Sequence, residues 1–221
     1  AGLFTETAAD MRLLWERLGF AVASSGIPRL AAPRSIEGVE PEMEKAFRAT
    51  LGRLRKAGFP TDAVELPRSY SQLLEVVRVI NDFEGARTHE QRWREHGERI
   101  GSKLARLVER GLRLPAEEYA RALETLGRAR QEMSRLLRRA PLILTPAATG
   151  PAPRGLDSTG DPRMNAPWTA LGVPAISIPM PVTGLPFGLQ LTAERGHDAL
   201  LLDAARRLEA ALVATGNGCG R

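Results

Sequence analysis

Ser24-Ser25-Gly26 is the first place in the chain where chemistry could sit. A serine becomes a nucleophile only when a base lies within hydrogen-bond reach and donors face the developing oxyanion. Phe20-Ala21-Val22-Ala23 precedes the doublet and Ile27-Pro28-Arg29 follows it, so the neighbouring residues supply neither. The triplet reads as a turn. His89 and His96 are seven residues apart, two helical turns, whereas metal pairs on a helix need a spacing of three or four. His197 sits in the turn Arg195-Gly196-His197-Asp198, and all three histidines read as solvent-facing. Lys45, Lys56 and Lys103 read as helix-surface lysines. Carboxylates are scattered over amphipathic segments, with Asp157 and Asp161 in a Pro/Gly-rich loop where an Asp-Pro step starts a turn. With no Walker pattern and no dinucleotide fingerprint, neither a cofactor nor a metal is expected.

Charge and apolar content narrow the class. The net charge is +5, carried almost wholly by arginine because there are only three lysines. Acids are interleaved with it, as in Glu90-Gln91-Arg92-Trp93-Arg94-Glu95. Alternating signs at helical spacing mark a solvated surface laced with ion pairs, whereas nucleic-acid binders segregate their positive charge. Nucleic acid is therefore not an expected partner. The apolar share is 43% and no window approaches bilayer length, so no membrane partner is expected either. Ala1-Gly2-Leu3-Phe4-Thr5-Glu6-Thr7 lacks a basic segment leading into an apolar one, and Cys219 has no second cysteine to pair with. Both point to a reducing, cytoplasmic setting.

The elements that must position any site follow from periodicity. Residues 1–67 read as mixed α/β. A helix over Thr7–Leu18 is stopped by Gly19, and an amphipathic helix from Pro41 carries Met43, Phe47, Leu51 and Leu54. Val64-Glu65-Leu66 is a short strand candidate. Residues 68–140 read as helical, with one stripe of Leu73, Val76, Val77, Ile80 and Phe83. A second stripe of Ile100, Leu104, Leu107 and Val108 is ended by Gly111, and a third helix starts near Pro115. The polar interval Arg87–Arg99 is a solvated helix segment or a loop. Residues 141–213 read as strands followed by a helix: Leu142–Thr145, Ala175–Pro179 and Phe187–Thr192, then a helix capped by Asp198. A loop from Pro146 to Pro162 and a tail over 214–221 complete the chain, which reads as one partial domain spanning 1–221.

The densest run of motifs lies between Leu142 and Leu212. It holds Leu142-Ile143-Leu144-Thr145-Pro146, then Asn165-Ala166-Pro167-Trp168 leading to Gly172-Val173-Pro174-Ala175-Ile176-Ser177-Ile178-Pro179. Gly184-Leu185-Pro186-Phe187-Gly188-Leu189-Gln190-Leu191 and Asp198-Ala199-Leu200-Leu201 follow. This order and spacing resembles the C-terminal region of the amidase-signature family. Gly2 to Asp10, Val39-Glu40-Pro41-Glu42-Met43 and Glu65-Leu66-Pro67 also resemble family segments.

The resemblance implies an α/β fold, a mixed sheet flanked by helices, in a protein that hydrolyses a carboxylic amide to acid plus ammonia or amine. It implies a serine nucleophile, a second serine in a cis peptide and a lysine, all placed before the segment matched here. No residue of this chain is carried over as catalytic, and the chain alone is expected to be inactive. Expected partners are a small-molecule amide and an N-terminal half, in the same protein or in a partner chain; a homo-oligomer is a further possibility. Met164, Asn165 and Trp168 are the candidate substrate-binding residues, with packing of Met164 and Trp168 under the long loop as the alternative. Two positions depart from the family: Thr169 stands at a common asparagine and Phe187 at a small aliphatic. Both departures fall on the pocket side and imply an atypical substrate. A non-catalytic scaffold of the same fold, using its arginine-rich helices on RNA or protein, is the competing reading.

Overall fold

A computed structural model describes residues 2–22, 26 and 29–216. Ser24, Ser25 and Cys219 lie outside the described residues. The chain divides into two compact units, one formed by residues 1–66 and 134–221 and the other by residues 67–133.

The first unit is built on a five-stranded mixed sheet in the order β2-β1-β3-β5-β4. Its strands are β1 (Leu30–Pro33), β2 (Thr61–Val64), β3 (Leu142–Pro146), β4 (Ala175–Pro179) and β5 (Gly188–Ala193). β1 runs parallel to both β2 and β3, whereas β5 is antiparallel to both β3 and β4. β2 lies earlier than Val64–Leu66 because it pairs with Leu30–Pro33 in register from Thr61 to Val64, and β1 ends at Pro33. β1 and β3 are buried along their whole length, as strands in the middle of a sheet should be.

One face of the sheet packs against helices α2 (Pro41–Lys56) and α7 (Asp198–Gly216). Leu142, Leu144, Leu189, Leu191 and Ile178 meet Met43, Phe47 and Leu54 of α2 and Leu201, Ala205 and Leu208 of α7 in a single core. Pro41 opens α2 where its missing N–H costs nothing. Phe187 joins this same core at 5% exposure. Helix α1 (Ala8–Arg17) begins with a capping box: Thr7 Oγ1 accepts from Asp10 N and the Asp10 carboxylate accepts from Thr7 N. It is tied to α7 by Ala8 N donating to Glu209 and by the buried Asp203. The Asp203 carboxylate faces Arg12, Arg206 and Arg207 at 3.6, 3.1 and 3.0 Å.

The second unit is a helical hairpin. Helix α3 (Arg68–His96) is 29 residues long and runs through most of the polar interval, followed by a 3-10 turn at Gly97–Ile100. Gly97 and Gly101, at φ 54° and 96°, make the reversal into α4 (Ser102–Arg113). Gly111 does not end α4. A methyl group there would lie 1.8 Å from the Asp82 carbonyl oxygen and 2.5 Å from Ala86 Cβ, so this glycine admits close approach of two helix backbones. The same crossing buries Asp82, whose two oxygens accept from Arg110 Nε and Nη2 at 2.9 Å, while Arg78 reaches it at 3.3 Å. The buried side of α3 carries Leu73, Val76, Val79 and Phe83, with Val77 and Ile80 only half-buried. Within the same unit, the start of α5 (Ala116–Arg139) stacks Tyr119 on Phe83 at 4.1 Å between ring centroids. The Tyr119 hydroxyl donates to Glu84 at 2.7 Å, which raises its pKa. Interleaved charges are paired as their spacing suggests, as in Arg12–Glu16, Arg48–Glu44 and Arg94–Glu90.

Gly111→Ala should lower stability by about 2–3 kcal/mol, because the obstructing atom is backbone oxygen. Gly127→Ala on α5 meets nothing within 4 Å and should instead gain up to about 1 kcal/mol. Urea unfolding of the two variants checks the contrast.

Candidate functional site

The C-terminal end of β3 is where the sheet, the long loop and a short helix converge. Alternation along the strands sends Leu144, Leu189, Leu191 and Ile178 into the core and turns Thr145, Gln190 and Ser177 to the other face. Register places these three in one row, Thr145 opposite Gln190 and Gln190 opposite Ser177. One step along, Ala147 N donates to Gly188 O at 2.8 Å. Gly188 has an ordinary φ, so its role here is spatial. A methyl group on it would lie 2.5 Å from Ser177 Oγ and 2.8 Å from Ala147 Cβ.

The long loop returns to this strand end. Asp161 caps a 3-10 turn at Pro162–Met164: its Oδ1 accepts from Arg163 N at 2.9 Å and its Oδ2 from Arg163 Nε at 2.8 Å. Helix α6 (Ala166–Leu171) follows at once, with proline in its first turn and Gly172 at φ 71° closing it. Gln190, 4% exposed, donates from Nε2 to Thr145 Oγ1 at 3.2 Å and to Met164 O at 3.0 Å. Asn165 Nδ2 donates to Ala147 O at 3.2 Å. Both ends of the loop also cross the segment before α2. Arg163 lies over Gly38, the Glu40 carboxylate lies against Gly150, and Glu40 N donates to Thr149 O at 2.7 Å.

Met164 and Trp168 are 5% and 1% exposed, whereas Asn165 is exposed. The three therefore share one turn, with a polar amide at the surface and an apolar thioether and indole beneath it. Thr169 is exposed on α6, and Phe187 points into the sheet core, away from the row that Gln190 occupies. The substrate-shaping role expected of Phe187 is thus replaced by core packing. Sequence reasoning assigned no role to Gln190, Thr145 or Ser177. Their signal was the alternation of two strands, which places them in one row only once the pairing register is known. Among the described residues, neither Thr145 nor Ser177 has a lysine, histidine or carboxylate as hydrogen-bond partner, so this row holds no nucleophile–base pair. Two surface depressions lie elsewhere, one lined by Ala9, Arg12 and Arg206 and one by Arg29, Phe59 and Asp62. Among the described residues there is no cluster of three or more groups able to hold a metal, and no helix long and apolar enough to cross a membrane.

The chain belongs to the amidase family: the family model described as Amidase matches residues 19–202, which include the sheet and this motif-bearing strand end. The chain is 29% identical over 192 residues to a glutamyl-tRNA(Gln) amidotransferase subunit from Methanothermobacter thermautotrophicus, covering 78% of this chain and 42% of that protein. A solved amidase structure superposes with a TM-score of 0.84 at 29% identity, covering 94% of this chain and 52% of the other. A 6-aminohexanoate cyclic dimer hydrolase, at 22% identity and a TM-score of 0.68, shares the fold over 86% of this chain and 46% of its own. The chain thus spans about half the length of the relatives it matches.

Trp168→Ala should cost about 3–5 kcal/mol of stability, the usual loss for an emptied aromatic site. Asn165→Ala should cost less than about 1 kcal/mol because the side chain is exposed. Thermal melts of the two variants separate a packing position from a surface one.

Proposed function

We propose that this chain is the C-terminal part of an amide hydrolase and that it supplies one wall of the acyl pocket. The observation that carries the reading is the gathering of Met164, Asn165 and Trp168 into one turn at the C-terminal end of β3, in a chain of the amidase family. Ligand sites in open α/β sheets form outside the carboxyl ends of strands, which favours this position over the depressions elsewhere. The exposed Asn165 offers its amide to the substrate's polar end, and the buried Met164 and Trp168 pack beneath it and fix the turn that presents it.

The bond-breaking groups belong to sequence outside this chain. In this reading a serine attacks the amide carbonyl and passes its proton through a second serine, in a cis peptide, to a neutral lysine. Acid and ammonia or amine are the products. Lys45 and Lys56 lie on α2 and Lys103 on α4, all exposed.

Support for a complementary polypeptide comes from the sheet's margin. β4 is an edge strand with Ala175, Ser177 and Pro179 exposed, and an uncovered edge invites another strand. Exposed apolar side chains at Phe4, Leu13, Leu18 and Phe20 add surface that a second polypeptide would cover. That polypeptide is the N-terminal half of an amidase, in the same protein or in a partner chain.

The purified 221-residue chain should release no ammonia or amine from simple carboxylic amides and should take up no serine-directed fluorophosphonate. Turnover blocked by such a reagent would contradict the placement of the nucleophile outside this chain.

A further inference from the structure

We propose that Gln190 is the positioning residue of this pocket wall, one carboxamide on β5 setting the backbone turn that presents Met164 and Asn165. The proposal rests on reading residues 162–171 as part of the acyl pocket, and it adds the means by which they are held.

The geometry is economical. Gln190 is nine-tenths or more buried and has two amide hydrogens on one nitrogen. One goes to Thr145 Oγ1, directly opposite on β3, and the other to the Met164 carbonyl oxygen. That carbonyl is the last of the 3-10 turn. The first turn of α6 closes on its neighbour, with Thr169 N donating to Asn165 O at 3.1 Å. The donor that Met164 O receives across the fold is therefore a side chain. Asp161 and Arg163 bind one another within the turn and do not reach the sheet. Among the described residues, Gln190 through Met164 O and Asn165 through Ala147 O tie this turn to the strand end.

Neither a hydroxyl side chain nor an ionised carboxylate reproduces this. Serine or threonine carries a single donor and could not satisfy both acceptors, and an ionised glutamate carries none. An apolar side chain of equal length would leave the Met164 carbonyl buried without a donor, and a buried unpaired acceptor drives the backbone to move until it finds water. Displacing the carbonyl of residue 164 rotates the peptide that carries Asn165. A contact far from any reacting atom would then govern where the pocket's polar group points.

A carboxyl at this position makes the idea testable by pH. Protonated, it donates one O–H to Met164 O; ionised, it repels the carbonyl. Burial and the facing carbonyl raise the carboxyl's pKa above its usual value of about 4.3. The order conferred by the protonated form is therefore present at low pH and is lost as pH rises through that raised value. Hydrogen exchange of the Asn165, Thr169 and Gly172 amides would be followed in the 221-residue chain as wild type, Gln190→Glu and Gln190→Met, corrected for intrinsic rates. In Gln190→Met these amides should exchange about tenfold faster at every pH, with those of β1 unchanged. In Gln190→Glu they should stay protected near pH 4 and become equally fast near pH 7. Its acid form is its own evidence that the variant folds. Unchanged exchange in both variants, or an acceleration spread evenly over the unit with no pH dependence in Gln190→Glu, would overturn the proposal. Amide hydrolysis by the intact protein separates it from the reading it rests on. A KM that rises with the same pH dependence, at nearly constant kcat, supports both. Local loosening with no change in KM keeps Gln190 as the positioning residue and overturns the pocket assignment of 162–171.

Discussion

β3 is the strand on which the sheet-bearing unit depends. It is fully buried, pairs in parallel with β1 on one side, and pairs antiparallel with β5 on the other. A strand in that position has no spare backbone groups, so its neighbours must match its register residue by residue. A slip of one residue at β5 would carry Leu189 and Leu191 out of the core and Gln190 into it. The apolar core against α2 and α7 therefore fixes which face Gln190, Thr145 and Ser177 occupy, and the polar row is a consequence of that packing.

The strand end inherits this precision. Met164, Asn165 and Trp168 belong to a loop-borne turn and a six-residue helix, elements too short to hold their own geometry. Gln190 on β5 donates to Met164 O, and Asn165 donates to Ala147 O just beyond β3. The glycines at 38, 150 and 188 serve the same end, since each leaves space that a side chain of another segment fills. The helical unit solves a similar problem with Gly111, where a missing Cβ lets α4 lie against the backbone of α3 and seat Arg110 on Asp82.

Much of this was legible in the sequence. Apolar spacing marked α2, because Met43, Phe47, Leu51 and Leu54 keep a helical period; α7 starts one residue earlier than expected, with Asp198 already in its first turn and His197 O accepting from Leu201 N. The ordered motifs from Leu142 to Leu201 marked the family and with it the fold. Gly111 was misread because a glycine that stops a helix and one that lets two helices touch are the same letter, told apart only by what lies opposite. β2 was placed a few residues late because parallel pairing with β1, a non-local contact, decides where it starts. Phe187 looked like a pocket residue by its position in the motif, and the alternation of β5 and its turn sends it to the core instead. Gln190 went unassigned because its partners are 45 and 26 residues away in sequence.

If the turn over residues 162–171 is a wall of the acyl pocket, it touches the acyl part of an amide substrate. A crystal structure of the intact protein with its carboxylate product bound tests this most directly. Product atoms within about 4 Å of Asn165 and Met164 are the expected result. Product bound elsewhere, with no atom of 162–171 within about twice that distance, would contradict it.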